Sequence, residues 1–125
     1  MPKQAISTPS APVPGGAYSQ AIATGKLVFL AGQGPFTANG EKVDGDFVDQ
    51  AKQTFANLAT VAEAAGGSLA DVVRVGVYLT DMSNFTMMNE VYRSFFPDPL
   101  PARTTIQCGL HGFEIEADAI LSLDR

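Results

Sequence analysis

The sequence predicts an α+β fold in which a mixed β-sheet carries two helices on one face. Three observations predict it. Two segments, after Asp46 and after Asp81, repeat their apolar residues at helical spacing. Runs rich in strand formers precede, separate and follow those segments. The last quarter alternates apolar with polar residues, as a strand with one buried face does. Strands, helix, strand, helix and two strands then make a two-layer arrangement around one core.

Thr8 to Gly16 opens with three prolines and two glycines in nine residues, so it reads as a loop. Ile22-Ala23, a turn at Thr24-Gly25-Lys26 and the run Leu27 to Ala31 read as a hairpin whose second strand is fully buried. Gly32 and Gly34-Pro35 end that strand, and Asn39-Gly40 marks a further tight turn. Phe47, Ala51, Phe55, Leu58, Ala62 and Ala65 define the first helix. Asp46 is its expected N-cap, Asp49 suits its first turn, and Gly66-Gly67 is its stop. Leu69 to Asp71 is a short turn, and the β-branched run Val72 to Leu79 is a strand. Asp81 or Ser83 caps the second helix, which puts Phe85, Met88, Tyr92 and Phe95 on one face and ends at Pro97, Pro99 and Pro101. In Arg103 to Cys108, Thr104, Ile106 and Cys108 share one face while Arg103, Thr105 and Gln107 share the other. After the turn Gly109 to Gly112, Phe113, Ile115, Ala117 and Ala119 are apolar, whereas Glu114, Glu116 and Asp118 between them are acidic.

The 125 residues are 46 % apolar and 17 % charged, too apolar and too weakly charged for disorder. That length predicts one domain spanning residues 1–125, with a real core and no staples. The net charge of -5 and the singly scattered bases, Lys3, Lys26, Lys42, Lys52, Arg74, Arg93, Arg103 and Arg125, argue against nucleic-acid binding. No apolar run approaches the ~20 residues of a membrane helix, and the start Met1-Pro2-Lys3-Gln4 has no signal-peptide stretch. A cytoplasmic location, with no membrane partner, is the expectation. One cysteine excludes an intramolecular disulfide, and one histidine excludes a His-cluster metal site. No dinucleotide, P-loop, nucleophile-elbow or dithiol motif is present.

One constellation carries chemistry. A closing hairpin would set Arg103 on the same sheet face as three carboxylates. A four-residue loop puts Arg103 opposite Asp118; a register two residues along puts it opposite Glu116, with Thr105 opposite Glu114. Either way a guanidinium fork could hold a carboxylate ligand while a neighbouring acid positions water or moves a proton. A structural ion pair on a wet sheet face is the other reading of the same pattern. Cys108, on the apolar face, reads as an inert buried thiol, and His111, in a Gly-flanked turn, as a surface residue. Tyr18 reads equally as a site hydroxyl or as packing under the loop. Asn89 is a poor helix former in mid-helix, which fits a specific hydrogen bond or a solvated position. Gly32 and Gly34 could present backbone N–H groups to a ligand or simply turn the chain.

The segments Pro101-Ala102-Arg103-Thr104-Thr105 and Glu114-Ile115-Glu116-Ala117 resemble the RidA/YjgF family of enamine/imine deaminases. Gly16-Ala17-Tyr18-Ser19-Gln20, Ala31-Gly32-Gln33-Gly34-Pro35, and Asn84-Phe85 with Asn89, Tyr92 and Phe95-Phe96 extend the resemblance from Pro14 to Ala119. It implies a chorismate-mutase-like fold and a homotrimer with ligand clefts between subunits. It implies hydrolysis of 2-imino acids, such as the imine tautomer of 2-aminoacrylate, to 2-keto acids and ammonia, without metal or organic cofactor. It makes Arg103 the carboxylate-binding residue and Glu114 the acid that positions or activates water. It gives Tyr18, Gly32, Asn89 and Thr105 cleft-lining roles, and it favours the register that pairs Thr105 with Glu114. Ala31 stands where many members have serine, and Thr105 where some have cysteine. A trimer that binds small keto acids or related carboxylates without catalysis is the alternative reading.

Overall fold

A computed structural model describes residues 2–124. The strands are β1 (Gln4–Ile6), β2 (Ala21–Thr24), β3 (Leu27–Gln33), β4 (Val72–Leu79), β5 (Ala102–Gln107) and β6 (Ile115–Ser122). They form one six-stranded sheet in the order β1-β2-β3-β6-β4-β5. All neighbours are antiparallel except β4 and β5, which run parallel. The helices α1 (Phe47–Ala64) and α2 (Phe85–Phe95) pack on one face, so the predicted α+β architecture is the one observed.

Local sequence explains the helix ends. Asp46 and Asp49 close a reciprocal capping box on α1, each side chain accepting from the other's backbone N–H at 3.1 Å. After α1 the chain turns at Gly66, whose φ of 92° suits glycine alone. Asp81 caps a short 3₁₀ turn, Met82–Asn84, by accepting from the Ser83 N–H; α2 then starts at Phe85 without a side-chain cap. Ser83 therefore caps nothing, because the 3₁₀ turn already supplies the hydrogen bonds that lead into α2.

The core lies between sheet and helices. Val28, Leu30, Val75, Val77, Ile115, Ala117 and Leu121 meet Phe55, Leu58, Val61 and Met88. Phe55 packs its ring against the edges of Tyr92 and Phe96 at 5.6 and 5.9 Å.

One strand was not foreseen, and two expectations are corrected. The short edge strand β1 lies in a segment whose composition carried no strand signal. Strand β3 is not buried on both faces, since Val28 and Leu30 face the helices while Leu27 and Phe29 are exposed. The larger correction concerns the closing hairpin, which does not exist. Strand β5 pairs parallel with β4, Arg103 opposite Val75 and Thr105 opposite Val77, while β6 inserts between β3 and β4. The reason is burial: the apolar positions of β6 fill the sheet centre, whereas β5 has too little apolar surface and takes the edge. Helix α2 supplies the crossover that a parallel β4–β5 pair requires. Arg103 and Thr105 consequently lie on the helix-facing side, with Val75 and Val77. Glu116 and Asp118, opposite Tyr78 and Gly76, lie on the open side. Both proposed registers, including the pairing of Thr105 with Glu114, are overturned together.

Candidate functional site

Arg103 sits half-buried on the edge strand, its Cζ 4.5 Å from the centroid of the Tyr92 ring and 5.5 Å from that of Phe85. Among the described residues it makes no ion pair and no hydrogen bond. It lines a cleft of about 260 Å³ with Asn89, Tyr92, Arg93, Leu100 and Pro101. Asn89 reaches this cleft because it precedes Tyr92 by one helical turn on α2. Thr105, two residues beyond Arg103 and on the same face, is half-buried but outside that lining.

A second cleft, of about 610 Å³, is lined by Tyr18, Gly32, Phe36, His111, Phe113 and Glu116 among others. Its loop wall is held by Gln20, a buried amide that accepts from the Thr8 N–H at 2.7 Å and donates to the carbonyls of Thr8 and Pro12. The Tyr18 hydroxyl accepts from the Gly15 N–H at 3.1 Å, leaving its ring exposed along the cleft. Phe36 and Phe113 meet edge to face at 5.1 Å. Gly32 lies where β3 bulges: Leu30 and Gln33 pair with Ala119 and Ala117, so three steps of β3 match two of β6. A Cβ at Gly32 would meet the carboxyl carbon of Glu116 at 2.9 Å, so glycine is what lets the backbone and that acid approach. Burial pushes the Glu116 carboxyl up from the usual carboxylate range, and the charge of Asp118 adds to the shift.

The carboxylates divide by role. Asp118 accepts from the Gly76 N–H at 3.1 Å and from the Tyr78 hydroxyl at 2.9 Å, and its ion-pair partner is Arg74 at 4.0 Å, not Arg103. For Asp118 the structural reading of the acidic face is the correct one. Burial, then this hydrogen bond and charge, holds the Tyr78 phenol above its ordinary value. Glu114 curls out of the alternation toward α1. Its Oε2 accepts from the Gln50 amide at 3.0 Å, and its own N–H donates to Gln50 Oε1 at 3.0 Å. That engages one carboxylate oxygen and leaves Oε1 available.

The structure thus brings together Arg103 with Asn89, and Tyr18 with Gly32. It does not bring Arg103 to Glu114 within one chain. Arg103 is opposite Val75, whereas the Glu114 carbonyl accepts from Thr80, five residues further along. At roughly 3.3 Å per residue that is about 16 Å. Sequence reasoning missed Gln50, Tyr92 and Phe85 as neighbours of the site and His111 as a cleft residue, and it set Glu116 beside Arg103, whereas Glu116 lines the other cleft. Gln50 did leave a signal, being a polar residue one step before Ala51 on the apolar stripe of α1. Cys108 is half-buried rather than buried, since the face it was assigned to is the uncovered one. Among the described residues no helix is long and apolar enough to cross a membrane.

Comparison with known proteins places this arrangement. A protein-family model described as Endoribonuclease L-PSP matches residues 8–121. A 2-iminobutanoate/2-iminopropanoate deaminase of Dermatophagoides farinae is 43 % identical over 106 residues, covering 84 % of this chain and 83 % of the relative. The crystal structure of RidA from an Antarctic Psychrobacter superposes with a TM-score of 0.92 at 40 % identity, covering 96 % of this chain and 99 % of the other. That of Escherichia coli TdcF with bound serine superposes with a TM-score of 0.91 at 31 % identity, covering 97 % and 99 %. With the same sheet, the same helices and a match along nearly its whole length, the chain belongs to the Endoribonuclease L-PSP family, the RidA/YjgF family.

Proposed function

We propose that this protein, a single domain acting in the cytoplasm, hydrolyses 2-imino acids, such as the imine tautomer of 2-aminoacrylate, to 2-keto acids and ammonia. The observation that carries the proposal is the Arg103 guanidinium, half-buried in a cleft and free of any carboxylate among the described residues. A charge kept unneutralised in such a place is suited to a carboxylate ligand, which its planar fork binds bidentately. The deaminase name of a relative at 43 % identity and the serine bound by TdcF support an amino-acid-like ligand. Glu114, with one oxygen held by Gln50 and one available, is suited to positioning water. In the reaction, water adds to the C=N carbon while Glu114 takes its proton and returns it to nitrogen. The carbinolamine so formed then loses its hydroxyl proton and gains one on the amino nitrogen, again through Glu114; the C–N bond breaks with its electron pair going to nitrogen, ammonia leaves and C=O remains. No electron donor or acceptor is needed, and neither is a metal or organic cofactor.

The two half-sites imply an assembly. Tyr18 and Gly32 line one cleft and Arg103 and Asn89 another, and about 16 Å of strand separates Arg103 from Glu114. A homotrimer whose neighbouring copies bring one half-site against the other would complete the site, with Thr105 facing the ligand at the junction. The experiment is pyruvate release from 2-aminoacrylate generated by a serine dehydratase. Wild-type protein accelerates it and Arg103→Ala does not. Full activity in Arg103→Ala would overturn the mechanism. Keto-acid binding without acceleration in the wild type would establish the non-catalytic alternative, and a monomer by light scattering would remove the shared site.

A further inference from the structure

We propose that Phe85 and Tyr92 are positioning residues that grip the Arg103 guanidinium by its faces and so present its edge, with the N–H donors, to the substrate carboxylate. The proposal deepens the carboxylate-anchor reading above and rests on it.

An arginine in a protein is usually oriented by an acidic partner, and that partner also cancels its charge. Arg74 is held in this way by Asp118 at 4.0 Å. Arg103 has no such partner among the described residues. Two aromatic rings of α2 take that place, seven residues and so about two turns apart on one helix face. Tyr92 lies 4.5 Å and Phe85 5.5 Å from Arg103 Cζ. A guanidinium is weakly hydrated over its faces and binds aromatic π-systems there, while its donors lie in its plane. Holding it by the faces fixes the fork without occupying it and without neutralising it.

The rings differ in how firmly they are set. Tyr92 is 3 % exposed and stacks on Phe96 at 4.3 Å, with Phe55 against its edge. That makes it a rigid floor. Its hydroxyl makes no hydrogen bond among the described residues, so the ring and not the oxygen serves Arg103. Phe85 is 38 % exposed and stands at the first residue of α2, where it can be changed without opening the core.

Three variants and two readouts test the grip. Phe85→Leu removes one π-face from a partly exposed position; Phe85→Tyr and Tyr92→Phe each keep the face. The first readout is the Arg103 Nε–Hε resonance, which aromatic ring currents displace upfield. The second is the dissociation constant for 2-oxobutanoate, a keto-acid probe, alongside KM and kcat for imine hydrolysis. Phe85→Leu should return the resonance toward its ordinary position and weaken 2-oxobutanoate binding and KM about five- to tenfold, as expected for one cation–π contact. Because that contact persists in ground and transition states, kcat should change less than about twofold. Phe85→Tyr and Tyr92→Phe should match wild type in both readouts. An Arg103 resonance and a dissociation constant unchanged in Phe85→Leu would overturn the grip. A wild-type protein that neither binds 2-oxobutanoate nor hydrolyses imines defeats the carboxylate-anchor reading instead. In that case, loss of the displaced resonance in Phe85→Leu still supports the grip, and its persistence overturns it.

Discussion

Gln50 and Glu114, 64 residues apart, hold each other through two reciprocal hydrogen bonds of 3.0 Å. The amide of one satisfies both the backbone N–H and one carboxylate oxygen of the other. Gln50 is buried on the inner face of α1, so the pair fixes where Glu114 points from within the core. Gln50→Leu should therefore lower kcat for imine hydrolysis about tenfold while KM stays near wild type, since orientation of the acid is lost and carboxylate binding is not. The same change should cost about 1–3 kcal/mol of stability, because the Glu114 N–H and carboxylate lose a partner. Steady-state kinetics with urea unfolding measure both. A KM effect without a kcat effect would place Gln50 on the binding side.

Glu116 gives the pH dependence. Burial and Asp118 raise its folded-state pKa above the ordinary value of 4.5. The folded chain therefore binds its proton more tightly than the unfolded one. The stabilisation is complete below about pH 4.5 and is lost as pH rises through the raised value. Glu116→Gln, which removes the charge, should leave Tm unchanged near pH 4 and raise it at pH 7. Thermal unfolding across that range reads the difference. A lower Tm at pH 7 in Glu116→Gln would mean that the ionised carboxylate is held by a favourable partner.

The architecture was legible because burial dictates it locally. The capping pair Asp46 and Asp49, the stop at Gly66 and the alternation of Ile115, Ala117 and Ala119 each follow from a few neighbouring residues. Strand pairing is not local. The alternation in Arg103 to Cys108 and in Phe113 to Ala119 was real, but two alternating segments joined by a short loop need not pair. The deeper apolar burial of β6 put it beside β3 and β4 and left β5 on the edge. With that, Arg103 moved to the opposite sheet face from Glu116 and Asp118. Arg103 and Asn89 kept company because one helical turn and one crossover join them. The aromatic floor under Arg103 was hidden, since periodicity made Phe85 and Tyr92 core positions of α2 and the family resemblance that includes them did not link them to Arg103.

The approach of Gly32 to Glu116 couples the β3 bulge to the acidic strand face. A methyl at position 32 would meet the Glu116 carboxyl carbon at 2.9 Å, closer than real Cβ contacts come. Gly32→Ala must then push the carboxyl aside, which the flexible Glu116 side chain allows at small cost, or shift the bulge, where overpacking costs about 1–3 kcal/mol. It should also impair 2-oxobutanoate binding if the Gly32 backbone faces the ligand, because the bulge sets where that backbone lies. Shortening the opposing residue separates the two effects. In Gly32→Ala combined with Glu116→Ala the clash is gone, so most of the lost stability should return, giving a double-mutant cycle far from additive. Urea unfolding of the four proteins gives the coupling. Additive costs would show that the alanine meets something other than Glu116, and the bulge would then have to be explained without that acid.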